Sequence, residues 1–445
     1  MTQGQTRGRE DGLVRGITVV GLAASVVNVV VGGGIFVLPA LLAAEVGAVA
    51  PAVYLIGGGA VLLVAAAFIS IGRSVSRSGG AYAYVGAVLG PFAGYLVGVL
   101  TWLVGAFASA ALLVALAVMV ATLHPSLQTP AARGALILGL CALPVAINLV
   151  RVRIGTRLIV ALTTVKLATL LLFLFFALPM VQLEYLTWTG PLPSSQLARG
   201  AILTFFAFGG MEMALGASGE IRSPARTLPL AVVSGMVLVV LLYVAVQVTA
   251  QGVLGPALPH SAAPLVDAAA RTGTGLRSMI VVGTAVSIGG ALVGTILGSA
   301  RMLFAFAEDG ILPTAVSSVH ARSRIPYVAV LLHAAVAAVL ALTGTFAKLA
   351  VLTSVSVALV YLVTCISAWI LAHRRNRGGS EPSRSARSQQ VVAGLGSVVL
   401  VLLLAQSTRA ELTAIGLTLT AAAMLYAFRR ATRRHDDPRV IIDKP

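Results

Sequence analysis

The chain has 445 residues, of which 58% are hydrophobic and 10% charged, and its mean hydropathy is +0.98. A bilayer span needs about 20 mostly apolar residues, so this composition belongs to a polytopic membrane protein and excludes a soluble globular enzyme. The net charge of +17 would suit nucleic-acid binding, but the basic residues are distributed as in a membrane protein.

Residues 1–16 form a polar segment. Met1–Asp11 is hydrophilic and the first apolar run is full length, so a cleavable leader is not expected. Apolar runs then predict twelve spans, at about 17–41, 48–72, 92–121, 132–150, 158–180, 199–219, 229–252, 277–304, 326–344, 348–372, 389–406 and 411–428. The stretch GGSEPSRSARS (378–388) and the RRATRRHDDPR segment near the end read as solvated connections. The expected fold is therefore all-α and integral to the membrane.

Two of these spans are interrupted. Gly32, Gly33 and Gly34 fall near the middle of the first, and Gly209 and Gly210 within the sixth. Glycine weakens a helix interior, and a helix opened in a bilayer exposes N–H and C=O groups that lipid cannot satisfy. Such breaks persist only against protein or a watery cavity. One reading is a pair of kinked packing helices. The other is a secondary transporter with a central site, where interrupted spans in corresponding halves mark the binding position.

Charge sets the orientation. With the N-terminus inside, 24 basic residues fall in cytoplasmic segments and six outside, with Lys166 left within a span. That asymmetry is the positive-inside signal, so nucleic acid is not needed to explain the charge, and both ends are expected in the cytoplasm. Cys141 and Cys365 fall inside predicted spans, and the six histidines show no metal-ligand spacing. No phosphate loop or Ser-His-Asp grouping appears, so neither an enzyme nor a cofactor or metal site is expected.

The string GGGIFVLPA (32–40) resembles the G-[small]-G-[IV]-F-x-x-P signature of the amino acid–polyamine–organocation superfamily. FAFGGMEMALGASGEIRSPARTLPLA (206–231) is similar to that family's sixth span and its exit. SRSGGAYAYVGAVLGPFAGYLVG (76–98) resembles the loop between spans two and three, and GSARMLFAFAEDGILP (298–313) the loop after span eight. The motifs stand in family order. The chain departs from the pattern at Asn28, where glycine is common, and at Gly33, where serine or threonine is frequent.

The resemblance implies a five-plus-five inverted repeat. Residues 17–180 would be the first repeat, 199–372 the second, 389–428 two appended helices, and 429–445 a cytoplasmic tail. Alternating access around a fixed site in the cell membrane would follow.

Backbone physics then suggests the chemistry of the breaks. The half-helix that starts near Gly34 offers free N–H groups and the positive end of its dipole to a carboxylate. Carbonyls near Phe206, Ala207 and Gly209 suit an α-ammonium. The expected binding stretches are Val31, Gly32, Gly33, Gly34 and Ile35, and Phe206, Ala207, Phe208, Gly209 and Gly210, with small residues Gly289, Gly290 and Gly294 of span eight nearby. The resemblance casts Phe206 as an aromatic gate, against the plainer reading of a core aromatic.

Lys166 lies roughly 13 Å along a helix from Arg157, near mid-membrane, where a charge costs about 2.5–3.5 kcal/mol on insertion scales. In the family, a lysine here takes the place of a sodium ion. It either exchanges a proton during the cycle or tethers span five to the first break as a permanent ammonium. Proton coupling without sodium is the expectation. Glu212, Glu220 and Arg222 are read as gating or structural groups. With no carboxylate beyond Glu212 in the expected pocket, a neutral amino acid is favoured over a dibasic one or a polyamine. An amine exchanger of the same fold is the alternative, and a sensor or channel a distant one.

Overall fold

The computed structural model describes residues 18–72, 80–122, 124–149, 156–188, 194–211, 224–320, 325–378 and 384–436. Among them every long element is helical and no strand occurs. In chain order the helices are α1 Val19–Val30, α2 Leu38–Val46, α3 Ala50–Gly72, α4 Gly80–Leu89, α5 Pro91–Ala121, α6 Pro130–Leu149, α7 Thr156–Ala177 and α8 Ser194–Phe208. They continue as α9 Pro224–Leu254, α10 Pro264–Thr272, α11 Thr274–Glu308, α12 Tyr327–Thr343, α13 Phe346–Gly378, α14 Arg384–Leu404 and α15 Arg409–Asp436. Nine candidate spans among the described residues are long and apolar enough to cross a membrane, which makes this a multi-pass membrane protein.

The helices fall into two compact units. The first gathers Met1–Gly94, Gly155–Ala291 and Val357–Ser407; the second gathers Tyr95–Ile154, Leu292–Ser356 and Thr408–Pro445.

Within the first unit, α3 packs on α8, α9 and α14, and α9 also packs on α1. Two adjacent glycines permit this crowding. A side chain on Gly57 would run into the Thr204 hydroxyl of α8, and one on Gly58 would meet Val240 of α9 at 2.5 Å. Small residues that let backbones close up are the usual device for helix association in lipid, where burial from water supplies no drive. Tyr54, Tyr243, Phe205 and Phe208 are fully buried in the resulting core.

The second unit packs α6 against α12. Asn148 Nδ2 donates to the Val293 carbonyl at 3.1 Å, and the Arg133 guanidinium donates to the Gly344 carbonyl at 3.4 Å. His333 is fully buried and its Nε2 lies 3.3 Å from Ser109 Oγ.

Candidate functional site

The first break is built residue by residue. Helix α1 opens on Thr18, whose hydroxyl accepts from the Gly21 N–H at 3.2 Å. It ends when the Val31 N–H closes on the Val27 carbonyl at 2.9 Å and the Gly32 N–H folds back on Val30 O at 2.6 Å. Gly34–Phe36 then form one turn of 3-10 helix, and α2 begins with Pro39 in its first turn, where proline's missing N–H is no loss. The amides of Gly33, Gly34 and Ile35 donate to no acceptor among the described residues. All three residues are buried. Unpaired buried amides are rare, and here three stand in succession at a single 3-10 turn.

The second break ends α8. The Gly209 N–H closes on Phe205 O at 2.9 Å, and Gly210 takes φ +105°, a conformation that L side chains rarely adopt. Gly210 stands beside Val29 of α1. Phe206 is partly exposed, whereas Ala207 and Phe208 are buried. Gly34 and Phe206 meet directly: a Cβ on Gly34 would come within 2.8 Å of Phe206 Cε1. The two breaks therefore adjoin, with the ring of one lying over the glycine of the other.

Tyr243 of α9 joins them. Its hydroxyl lies 2.9 Å from Val30 O and 3.1 Å from Ala207 O, in each case a carbonyl of the last helical turn that lacks an intrahelical donor. The Ala207 carbonyl, expected to face a ligand ammonium, is thus held by Tyr243. One helical turn further along α9, Gln247 Nε2 donates to Pro39 O at 3.3 Å, and Gln251 Nε2 reaches Gly47 O and Tyr185 O. Tyr243, Gln247 and Gln251 recur every four residues, so they share one face of α9. That polar stripe in an otherwise apolar run was the signal available in the sequence.

Lys166 is 8% exposed. Its ammonium donates to Asn28 O at 2.9 Å, and Asn28 Oδ1 lies 3.4 Å away and also accepts from Thr163 Oγ1 at 2.6 Å. The departure at Asn28 is thereby explained. It adds a side-chain oxygen to the C-terminal end of α1, where the helix dipole already favours a cation. On the α11 side, Gly290 packs beside Leu162 and Gly283 beneath Thr169. The intervening stretch of α11 carries Thr284 and Ser287, two buried hydroxyls without partners among the described residues.

At the far end of α2, Glu45 pairs with Arg199 at 3.4 Å, which ties α2 to α8 at a partly exposed position. Gly289 and Gly294 have no atom near a would-be Cβ. Glu212, Glu220 and Arg222 lie outside the described residues.

The profile of the family described as "Amino acid permease" matches residues 17–427. The chain belongs to that family. This permease is 32% identical over 407 residues to an uncharacterized transporter of Mycobacterium tuberculosis, covering 87% of each chain. It is 27% identical over 379 residues to a serine/threonine exchanger of Bacillus subtilis, covering 82% of this chain and 85% of that one. A branched-chain amino acid permease of Lactococcus lactis shares 28% identity over 204 residues, 45% of this permease and 43% of the relative. The permease is thus a membrane transporter, as the motif resemblance implied.

Proposed function

We propose that this permease is a secondary active transporter of neutral amino acids, working by alternating access across the cell membrane with both termini in the cytoplasm. The observation that carries the proposal is the set of three unpaired, buried amides at Gly33, Gly34 and Ile35 beside the partly exposed Phe206 ring. A carboxylate satisfies those amides and the positive end of α2 together. The C-terminal end of α8 supplies carbonyls for the α-ammonium. Val31 and Gly32 shape the turn below, and Ala207 and Phe208 back the pocket. Gly209 and Gly210 keep the second break open.

Neutral substrates fit because the pocket positions among the described residues include no carboxylate to pair a second amine. Under this proposal twelve spans form two five-span repeats (17–180 and 199–372) followed by two further helices (389–428). Glu212, Glu220 and Arg222 act in gating or bracing. Lys166 occupies the cation position, makes the cycle independent of sodium, and exchanges a proton with each turnover. The two relatives named for serine/threonine and branched-chain amino acids support the substrate class.

A second reading is obligate exchange, favoured by the two-oxygen hold of Asn28 on Lys166, which suits a permanent tether. Uptake of radiolabelled serine and leucine into proteoliposomes, with and without a pH gradient and with and without internal amino acid, separates the readings. Accumulation driven by the gradient alone supports proton coupling. Uptake that requires internal amino acid supports exchange.

A further inference from the structure

The facing sides of α13 and α14 grade from apolar to cationic toward the turn between them. Trp369 of α13 lies beside Gly394 of α14, where a Cβ would stand 3.5 Å from the indole Cδ1. One turn further along α13, His373 stacks on the Trp369 ring, with planes 3° apart and centroids 5.3 Å apart. Its Nδ1 lies 3.2 Å from Gln390 Nε2 of α14, and Gln390 Oε1 accepts from Asn376 Nδ2 at 3.0 Å. The other end of that amide, Asn376 Oδ1, is buried with no partner among the described residues.

Two guanidinium groups complete the series. Arg377 follows His373 by four residues and Arg387 precedes Gln390 by three, spacings that keep each on the facing side of its helix. Both are exposed, as are Arg374 and Arg375 beside them, and among the described residues none of the four has a carboxylate partner. The positive-inside pattern accounts for basic residues near the end of a span. It does not account for a pair at the head of a helix seam, next to an unpaired buried oxygen. In the opposite direction the surface is apolar: Ile366 and Trp369 of α13 are exposed, and Val391, Leu395 and Val398 form an exposed stripe on α14.

We propose that this seam binds an anionic phospholipid whose headgroup carries a hydrogen-bond donor, as phosphatidylglycerol does. The phosphate pairs with Arg377 and Arg387, a headgroup hydroxyl donates to Asn376 Oδ1, and the acyl chains run along Trp369 and the stripe on α14. An indole at headgroup level is usual at a membrane interface, and arginines clustered just beyond a span attract anionic lipid. Free phosphate would satisfy the arginines alone, whereas the apolar surface that continues from them selects a lipid. Because α14 packs on α3 and α8, the bound lipid braces the helices around the second break.

The test uses the full-length protein in phosphatidylcholine nanodiscs, with acyl-brominated phosphatidylglycerol, acyl-brominated phosphatidylcholine and inorganic phosphate as probes. Bromine quenches a neighbouring indole, and the part of the quenching that disappears in Trp369→Phe reports lipid at the seam. Brominated phosphatidylglycerol is expected to quench Trp369 at a lipid fraction about tenfold lower than brominated phosphatidylcholine, and inorganic phosphate is expected not to displace it. Arg377→Gln with Arg387→Gln alters two exposed side chains, so it should fold normally and lose this preference. Arg429→Gln with Arg430→Gln removes the same charge at the end of α15 and should keep it. Asn376→Ala removes the acceptor and should weaken phosphatidylglycerol roughly threefold. Equal quenching by the two brominated lipids in the wild type, a preference that survives loss of Arg377 and Arg387, or one lost equally with Arg429 and Arg430, would overturn the proposal. Displacement of the lipid by inorganic phosphate would overturn it in favour of a soluble anion, and unchanged binding in Asn376→Ala would overturn the headgroup contact.

Discussion

The Lys166 ammonium lies 2.9 Å from the carbonyl oxygen of Asn28 and 3.4 Å from its side-chain oxygen. One residue of α1 thus meets the buried cation of α7 twice, one turn before the break. Any movement of the end of α1 changes both contacts together. That fastens the charge to the end of α1.

Lys166→Ala is expected to abolish accumulation driven by an imposed pH gradient, with sodium having no effect on the wild type. The tether reading predicts instead that net uptake and exchange fall together while the pH profile of the remaining flux is unchanged. Flux measurements in proteoliposomes at several pH values distinguish the two. A sodium requirement in the wild type would contradict both.

Gly34→Ala is expected to weaken substrate binding by about tenfold or more without unfolding the protein. The added Cβ meets the Phe206 ring at 2.8 Å, so the ring must shift, and overpacking of this kind costs about 1–3 kcal/mol. Scintillation-proximity binding, with size-exclusion chromatography to verify the fold, checks this. Undiminished affinity would separate the two breaks functionally. Gly33→Leu places bulk beside the free amides and is expected to abolish binding.

Tyr243→Phe removes the donor to both Val30 O and Ala207 O. Val30 O keeps the Gly32 N–H, but Ala207 O is left without a donor among the described residues, and an unpaired buried carbonyl costs about 1–3 kcal/mol, so the thermal midpoint in detergent should drop by several degrees and turnover should fall. A midpoint equal to that of the wild type would show that other donors replace the hydroxyl.

Gly57→Val tests packing apart from the site. The new side chain would overlap the Thr204 hydroxyl and press on the Ala201 carbonyl, 3.2 Å from the added Cβ. Overpacking of this kind costs about 1–3 kcal/mol. Thermal unfolding should report the loss, and a second change, Thr204→Ala, should recover part of it.

Much of this arrangement was legible in the sequence because its causes are local. The glycine clusters at 32–34 and 209–210 coincide with the ends of α1 and α8, whereas Gly57–Gly59 stay within α3 and Gly289–Gly290 within α11, so a glycine cluster marks a candidate break without by itself making one. The all-helical expectation followed from hydropathy. The pieces α1 and α2, at 12 and 9 residues, are too short to be recognised one by one, and the break between them is what identifies the span. The short helices α4 and α10 were not expected, since a 20-residue apolar window passes over elements of 10 and 9 residues. The role of Asn28 and the linking hydroxyl of Tyr243 were hidden for another reason. Each depends on a partner more than 130 positions away, and a single sequence does not state which distant helix a polar residue will face.

The measurement that bears most directly on the proposed function is uptake of radiolabelled serine and leucine by the purified wild-type protein in proteoliposomes, compared with Gly33→Leu. Saturable uptake in the wild type, competed by unlabelled zwitterionic amino acids but not by their decarboxylated amines, and lost in Gly33→Leu, is the predicted result. Transport that the amines compete equally well, or that survives Gly33→Leu, would contradict a carboxylate held by the amides of the first break.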